Sequence, residues 1–185
     1  MTQRYSRLAR VYHEMYQSIF DYAADFRFFD QYLKKYHCHS ILDSGGGSSN
    51  LTPYFIKNRY AYTGLDLAVE MLQIARDLHP DVNFIQGDMR ACCVNQAFDA
   101  VIISGRSFTY MTTNDEVLNA LKSIHSCLKP DGILIFDNFN AETIFLNFKP
   151  AAVLTIEQGT THDKRVSQST RNLETGWTWN WQATY

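Results

Sequence analysis

The feature that most restricts how this chain can fold is an alternation of short apolar runs with segments whose apolar residues recur at three- and four-residue steps. Residues 39–43 form an apolar run that breaks into Ser44-Gly45-Gly46-Gly47. Residues 60–66, 82–86 and 98–104 read as further strands, and residues 69–78 and 115–128 carry helical spacing. Lys129-Pro130-Asp131-Gly132 reads as a turn before a last strand at 133–136. Strands that alternate with helices imply parallel pairing through right-handed crossovers. The expected fold class is therefore α/β, a Rossmann-like doubly wound, mostly parallel sheet with helices on both faces.

The pattern differs at the two ends. Leu8, Val11, Tyr12, Met15, Tyr16 and Ile19 share helical spacing, so residues 1–36 read as an N-terminal helical lid on a core of residues 37–140. Beyond that core, residues 153–157, 166–170 and 177–185 look like strands separated by polar turns, which predicts a C-terminal antiparallel β flap over 141–185. Trp177, Trp179 and Trp181 alternate and so share one face. That face suits a hydrophobic flap surface, a homodimer contact or a wall of a substrate chamber.

In 185 residues, 45% of them hydrophobic, there is enough material for one sizeable core. With 17 Lys and Arg against 19 Asp and Glu the net charge is −2, which offers no positive field to gather a nucleic-acid backbone. A small-molecule partner fits better. Cys38, Cys92, Cys93 and Cys127 form no CxxC pair, and His37 and His39 flank Cys38 on an extended segment where ligands would point apart, so no metal site is expected. No apolar run reaches the roughly 18 residues of a membrane span, and the N-terminus lacks the apolar stretch of a signal peptide. A cytoplasmic, membrane-free protein is expected.

Ligands of open α/β sheets bind outside the carboxyl ends of the strands, so those ends carry the functional reading. They are Asp43-Ser44-Gly45-Gly46-Gly47, Gly64-Leu65-Asp66, Gln86-Gly87-Asp88-Met89 and Ile103-Ser104-Gly105. A dinucleotide turn wants a third glycine three residues after the second, and Asn50 stands there. Asp43, two residues before Gly45, would repel a pyrophosphate and favour an ammonium or sulfonium, the two cations of S-adenosylmethionine. Asp66 follows Gly47 by 19 residues, the distance at which a carboxylate reaches ribose hydroxyls, although a helix N-cap role also suits it. Asp88 offers an acceptor to an adenine amino group or serves as a turn residue, and Leu67, Met71 and Met89 can wall the ring. Ser48, Ser49 and Asn50 can each cap the helix that contains Pro53.

With these residues in place, the chain resembles the class I S-adenosylmethionine-dependent methyltransferases, whose glycine motif commonly reads as an acidic residue followed by G-x-G. The likeness runs from Tyr5 to about Asn140 and is strongest in ILDSGGGSSN, YTGLDLAVEMLQIAR, FIQGDMR, FDAVIISGRSFTYM and LKPDGILIFD. Within that superfamily it is similar to small-molecule enzymes such as the glycine and amino-sugar N-methyltransferases. The resemblance implies a cofactor site made by Asp43, Gly45, Gly47, Asp66, Leu67, Asp88, Met89 and the Ser104-Gly105 backbone, with S-adenosylmethionine as methyl donor and S-adenosylhomocysteine as product. Tyr5, Tyr12 and Tyr16 resemble the tyrosines that relatives place over the methionine end, though core packing accounts for them equally well. Serine stands at 49 where the family usually has glycine, Ser44 where an apolar residue is common, and His13 where an aspartate is frequent. The family usually closes its sheet with an antiparallel strand pair, so a chain stopping soon after Trp181 is either a truncated product or one whose flap replaces that pair.

Arg106 and Tyr110 follow the fourth strand and Asp137 ends the fifth, which makes them substrate-side candidates. His13 would act as a base only if the N-terminal helix closed over the site, and a solvated helix face suits it better. The expected reaction is in-line transfer of a methyl group to a nitrogen or oxygen of a small molecule, with no obligatory general base. A regulatory module that binds the same cofactor without transferring methyl groups is the alternative, and a nicotinamide oxidoreductase is disfavoured by Asn50 and Asp43.

Overall fold

The computed structural model describes residues 9–92, 94–158, 161–176 and 178–184. These fall into two compact units, one running to Asn138 and the other starting at Phe139. In the first, helices α1 (Ala9–Ile19) and α2 (Tyr22–Lys35) precede strand β1 (Ser40–Ser44). There follow α3 (Thr52–Lys57), β2 (Ala61–Asp66), α4 (Val69–Leu78), β3 (Asn83–Gln86), β4 (Phe98–Ile103), α5 (Asn114–Ser126) and β5 (Leu128–Phe136). The five strands form one sheet in the order β3-β2-β1-β4-β5, and all four pairings are parallel.

Alternation along each strand builds two cores, because successive side chains leave the sheet on opposite faces. On one face Ile41, Tyr62, Phe84, Ala100 and Ile102 pack with Phe26, Phe29 and Leu33 of α2, Phe55 of α3 and Leu72 and Ala75 of α4. On the other, Leu42, Leu65, Val101 and Ile103 pack with Ala120 and Ile124 of α5 and with Phe108. The doubly wound expectation therefore holds, with helices on both faces. Asp99 locks the amino ends of the central strands: its Oδ2 accepts from the His39 and Ser40 backbone N–H groups at 2.9 and 2.8 Å, and its Oδ1 from Lys129 at 2.8 Å. Partial burial opposes ionisation there, but the Lys129 ammonium and the two N–H groups win and hold the carboxyl well below the usual range.

Two local expectations are corrected. None of Ser48, Ser49 and Asn50 caps α3, whose N-cap is Leu51 without a side-chain bond, because the segment is engaged by α1 instead. Lys129-Pro130-Asp131-Gly132 is not a turn ahead of β5 but lies inside it, shifting the register from Phe98↔Leu128 to Ala100↔Ile133. A side chain at Gly132 would stand 2.9 Å from the Lys129 carbonyl, so the detour needs glycine. The helix α5 begins with a capping box in which Thr113 and Glu116 exchange side-chain-to-backbone bonds.

The second unit is the expected antiparallel sheet: β6 (Ala151–Gln158), β7 (Thr161–Arg171) and β8 (Trp179–Thr184), preceded by the short α6 (Ala141–Leu146). Trp179 and Trp181 alternate with exposed Asn180 and Gln182, while Trp177 lies outside the described residues. Edges of Phe139 and Phe145 meet the Trp179 ring at 5.5 and 5.9 Å.

Candidate cofactor site

Chain direction across the sheet reverses between β1 and β4, and the crevice at their carboxyl ends is where an open parallel sheet receives a ligand. The turn after β1 is hooked onto β2 by hydrogen bonds from the Gly45 and Gly46 N–H groups to the Leu65 carbonyl, at 2.7 and 3.2 Å. Gly45 has φ +88°, and a Cβ there would lie 3.0 Å from that of Ser107 and 3.3 Å from the end of Met89. Gly47 and Gly105 also have positive φ but face open space, so at these two positions conformation, not crowding, calls for glycine.

Asp66 ends β2 and ties two backbones together. Its Oδ2 accepts from Gly47 N–H and its Oδ1 from Ala68 N–H, both at 2.8 Å. Burial raises its pKa while those N–H groups lower it. Each carboxylate oxygen has a second lone pair, so acceptor capacity remains for vicinal hydroxyls. Asp43 is buried beneath the turn at 1% exposure; Oδ2 accepts from the Tyr62 phenol at 2.7 Å and Oδ1 has no partner. Burial, opposed by that phenol and reinforced by Asp66 and Asp137, pushes the Asp43 carboxyl up to about 7.

Asp88 is spent differently. It caps the 3₁₀ turn Met89–Ala91, and both its oxygens accept from Arg90, whose Nη1 continues to Glu116 of α5 at 2.6 Å. The Arg90 side chain is a partner that sequence reasoning missed, although its position two residues after Asp88 was a visible signal. Leu67 is exposed beside the site, whereas Met71 is 1% exposed and packs in the contact of α4 with α1 alongside Ala9 and Ala68.

His13 is not on a solvated helix face. It is 8% exposed, with Nδ1 2.8 Å from Ser48 Oγ and Nε2 2.9 Å from Gln17 Nε2, and Gln17 also donates to Asn50 at 3.3 Å. The amide nitrogen only donates, so Nε2 accepts and the Nδ1 proton goes to serine in the neutral tautomer. Burial lowers the His13 pKa accordingly. Helix α1 is thus strapped to the segment after the glycines. Tyr12 stacks on Tyr16 with ring centroids 3.8 Å apart and packs beside Ala68 and Met71; Tyr5 lies outside the described residues.

On the substrate side, Arg106 has φ +61° and its N–H donates to Asp137 Oδ1 at 2.7 Å, while its guanidinium lies 5.5 Å from the Phe20 ring. Tyr110 closes the 3₁₀ turn Ser107–Tyr110, and Ser107 Oγ donates back to the Ser104 carbonyl at 2.9 Å. Asp25 of α2 joins this group: burial first and Asp137 second raise its pKa, against Arg106. No sequence pattern marked Asp25, because it reads as one more polar residue on an amphipathic helix. Among the described residues no cluster of three His, Cys, Asp or Glu could hold a metal ion, and no helix is long and apolar enough to cross a membrane.

A family model described as a methyltransferase domain matches residues 41–132. The chain belongs to the class I S-adenosylmethionine-dependent methyltransferases. It is 33% identical over 98 residues to a dTDP-3-amino-3,4,6-trideoxy-alpha-D-glucopyranose N,N-dimethyltransferase of Streptomyces venezuelae, a match that covers 53% of this chain and 41% of that one. It is 30% identical over 128 residues to a glycine/sarcosine N-methyltransferase of Aphanothece halophytica, covering 63% of this chain and 46% of that one. The matches thus span less than half the length of these relatives. The crystal structure of Streptomyces venezuelae DesVI shares the fold, with a TM-score of 0.81 at 24% identity over 95% of this chain and 80% of that one.

The chain departs from the family's usual glycine at Ser49, and the backbone there shows what the departure costs. Ser49 has φ +71°, the conformation that favours glycine, and its buried hydroxyl has no partner. The serine is strained to hold this left-handed conformation.

Proposed function

We propose that the chain transfers a methyl group from S-adenosylmethionine to a nitrogen of a small molecule. The observation that carries this reading is the set of carboxylates around the glycine turn: Asp43 beneath it, Asp66 beside it, and Asp137 near enough to act on Asp43. Such a rim repels a pyrophosphate and admits a cation. The unpartnered Oδ1 of Asp43 and the spare lone pairs of Asp66 fit a nucleoside that carries a positive charge. Bound S-adenosylmethionine would supply an electrophilic methyl group on its sulfonium.

In this reading Asp66 holds the ribose hydroxyls, Leu67, Asp88 and Met89 border the adenine, and Ser104 and Gly105 present backbone groups. Tyr12 of α1 covers the methionine end, while α2 belongs to the core of the sheet. Arg106, Tyr110 and Asp137 face the acceptor. His13 positions the Ser48 segment and does not act as a base, since both ring nitrogens are engaged. The chain's contribution is alignment and exclusion of water, and an amine that arrives unprotonated needs no general base. The N-methyltransferase names of the relatives support nitrogen as acceptor.

Calorimetry with S-adenosylmethionine, S-adenosylhomocysteine and NADH, followed by mass spectrometry of amino-sugar nucleotides, glycine and sarcosine incubated with the methyl donor, tests the reading. Binding of the first two and a product heavier by one methyl group are expected. Tighter binding of NADH would overturn it, and binding without product across the panel would favour a non-transferring module.

A further inference from the structure

Beneath the glycine turn lies a buried pair, Asp43 and Tyr62, of which the cofactor reading uses only Asp43. Tyr62 is 8% exposed, stacks on Phe55 at 5.6 Å between ring centroids, and meets the edge of Phe84 at 6.4 Å. Its ring belongs to the core, yet its hydroxyl donates to Asp43 Oδ2 at 2.7 Å. Gly46 closes over the pair so tightly that a Cβ would stand 3.0 Å from Asp43 Oδ2 and 3.3 Å from the Tyr62 oxygen. Asp43 therefore has one donor, supplied by a residue from the interior of β2.

We propose that Tyr62 is a positioning residue of the cofactor site, holding the Asp43 carboxylate ionised and oriented under the glycine turn so that its charge meets a cationic ligand. The inference rests on the cofactor reading above. A buried carboxylate with one charge-assisted hydrogen bond depends on that bond for its charge. The other groups that act on it do not help: Asp66 from β2 and Asp137 from the end of β5 are acidic and oppose ionisation. Arg106 and Asp25 act on one another and Asp25 on Asp137, and His13 of α1 is turned to Ser48.

The test is calorimetry from pH 6 to 9 on the whole chain and on Tyr62→Phe, with S-adenosylmethionine and, as an uncharged control, 5′-methylthioadenosine. Phenylalanine keeps the ring contacts and removes only the donor. At pH 7 the variant should bind S-adenosylmethionine about tenfold more weakly, the gap closing as pH rises by about one unit or more, because a tenfold change corresponds to one pH unit of proton affinity. The ligand's own ionisation is common to both proteins and cancels in the ratio. The control should bind both proteins alike at every pH.

Equal losses for the two ligands at all pH values would make Tyr62 a packing residue and overturn the inference while leaving the cofactor reading intact. Failure of the unaltered chain to bind S-adenosylmethionine at all would overturn both. Carbon-13 NMR of the Asp43 carboxyl in the unaltered chain gives a second reading independent of the variant's folding. Its titration midpoint should fall when S-adenosylmethionine is bound, and an unmoved midpoint refutes the proposal.

Discussion

Replacing Asp43 by asparagine should make the ligand-free chain more stable at pH 8 relative to the parent than it is at pH 5. Asp43 is 1% exposed, with one oxygen bonded to Tyr62 and the other without a partner. Burial raises its carboxyl from the ordinary 3.8 to about 7 in the folded chain. Between those values the native state binds a proton that the unfolded state releases. The stabilisation is therefore complete below about pH 4 and lost as pH rises through about 7. An interval of about 3 pH units at about 1.36 kcal/mol each sets an upper bound of about 4 kcal/mol for that loss. Asparagine does not titrate. Its amide leaves a buried N–H short of an acceptor at a cost of about 1 to 3 kcal/mol, but that cost is the same at both pH values and cancels from their difference. Only the part of that interval above pH 5, about 2 units, is lost between pH 5 and pH 8, so urea denaturation of both proteins at the two conditions should show the variant gaining about 2 to 3 kcal/mol on the parent. Carboxylates elsewhere titrate in both proteins and drop out. A stability difference independent of pH would refute the claim that Asp43 is ionised at a cost beneath the turn.

Asp66→Ala removes the acceptor of the Gly47 and Ala68 N–H groups, so two consequences should appear together. The ligand-free melting temperature should fall with a loss of about 2 to 3 kcal/mol, partly offset by no longer burying a charge, and S-adenosylmethionine affinity by about 1 to 3 kcal/mol on calorimetry; a fall in neither removes Asp66 from the site. Ser49→Gly relieves a left-handed serine with an unpartnered hydroxyl, so denaturant melts should show a gain of about 1 kcal/mol with cofactor affinity kept; a loss would mean that the serine side chain holds the turn. Asp99→Ala unties the amino ends of β1 and β4 and should cost about 2 to 4 kcal/mol at pH 7. Because the Asp99 pKa is depressed, that cost is present above about pH 4 and should fade as pH drops through the native value, which acid titration of both proteins followed by circular dichroism checks.

Much of the fold was legible because both of its periods are local. Apolar runs of strand length and helical stripes name elements wherever packing reinforces propensity, and residues 69–78 read as a helix from sequence and are one in the structure. The expectation failed where a distant partner decided the outcome. Ser48 reads as a cap, but His13, 35 residues earlier, takes its hydroxyl. Residues 129–132 read as a turn, but pairing with β4 draws them into β5. The site was legible in the same measure: glycines and acids at strand ends mark where a ligand can sit, and Arg90 stands two residues after the Asp88 it satisfies, while the Tyr62 donor of Asp43 lies 19 residues away and carries no local signal.

Sequence alone determined the alternation of strands and helices, the carboxyl-edge glycine turn and its acidic company, since periodicity and turn chemistry are properties of neighbouring residues. Tertiary structure alone decided that Arg90 joins Asp88 to Glu116 of α5, that His13 straps α1 to the loop, and that Asp43 is sealed under Gly46 with Tyr62 as its donor. These are matters of burial and of contact between residues far apart in the chain. Burial sets how strongly a charge is felt, and no local pattern encodes it.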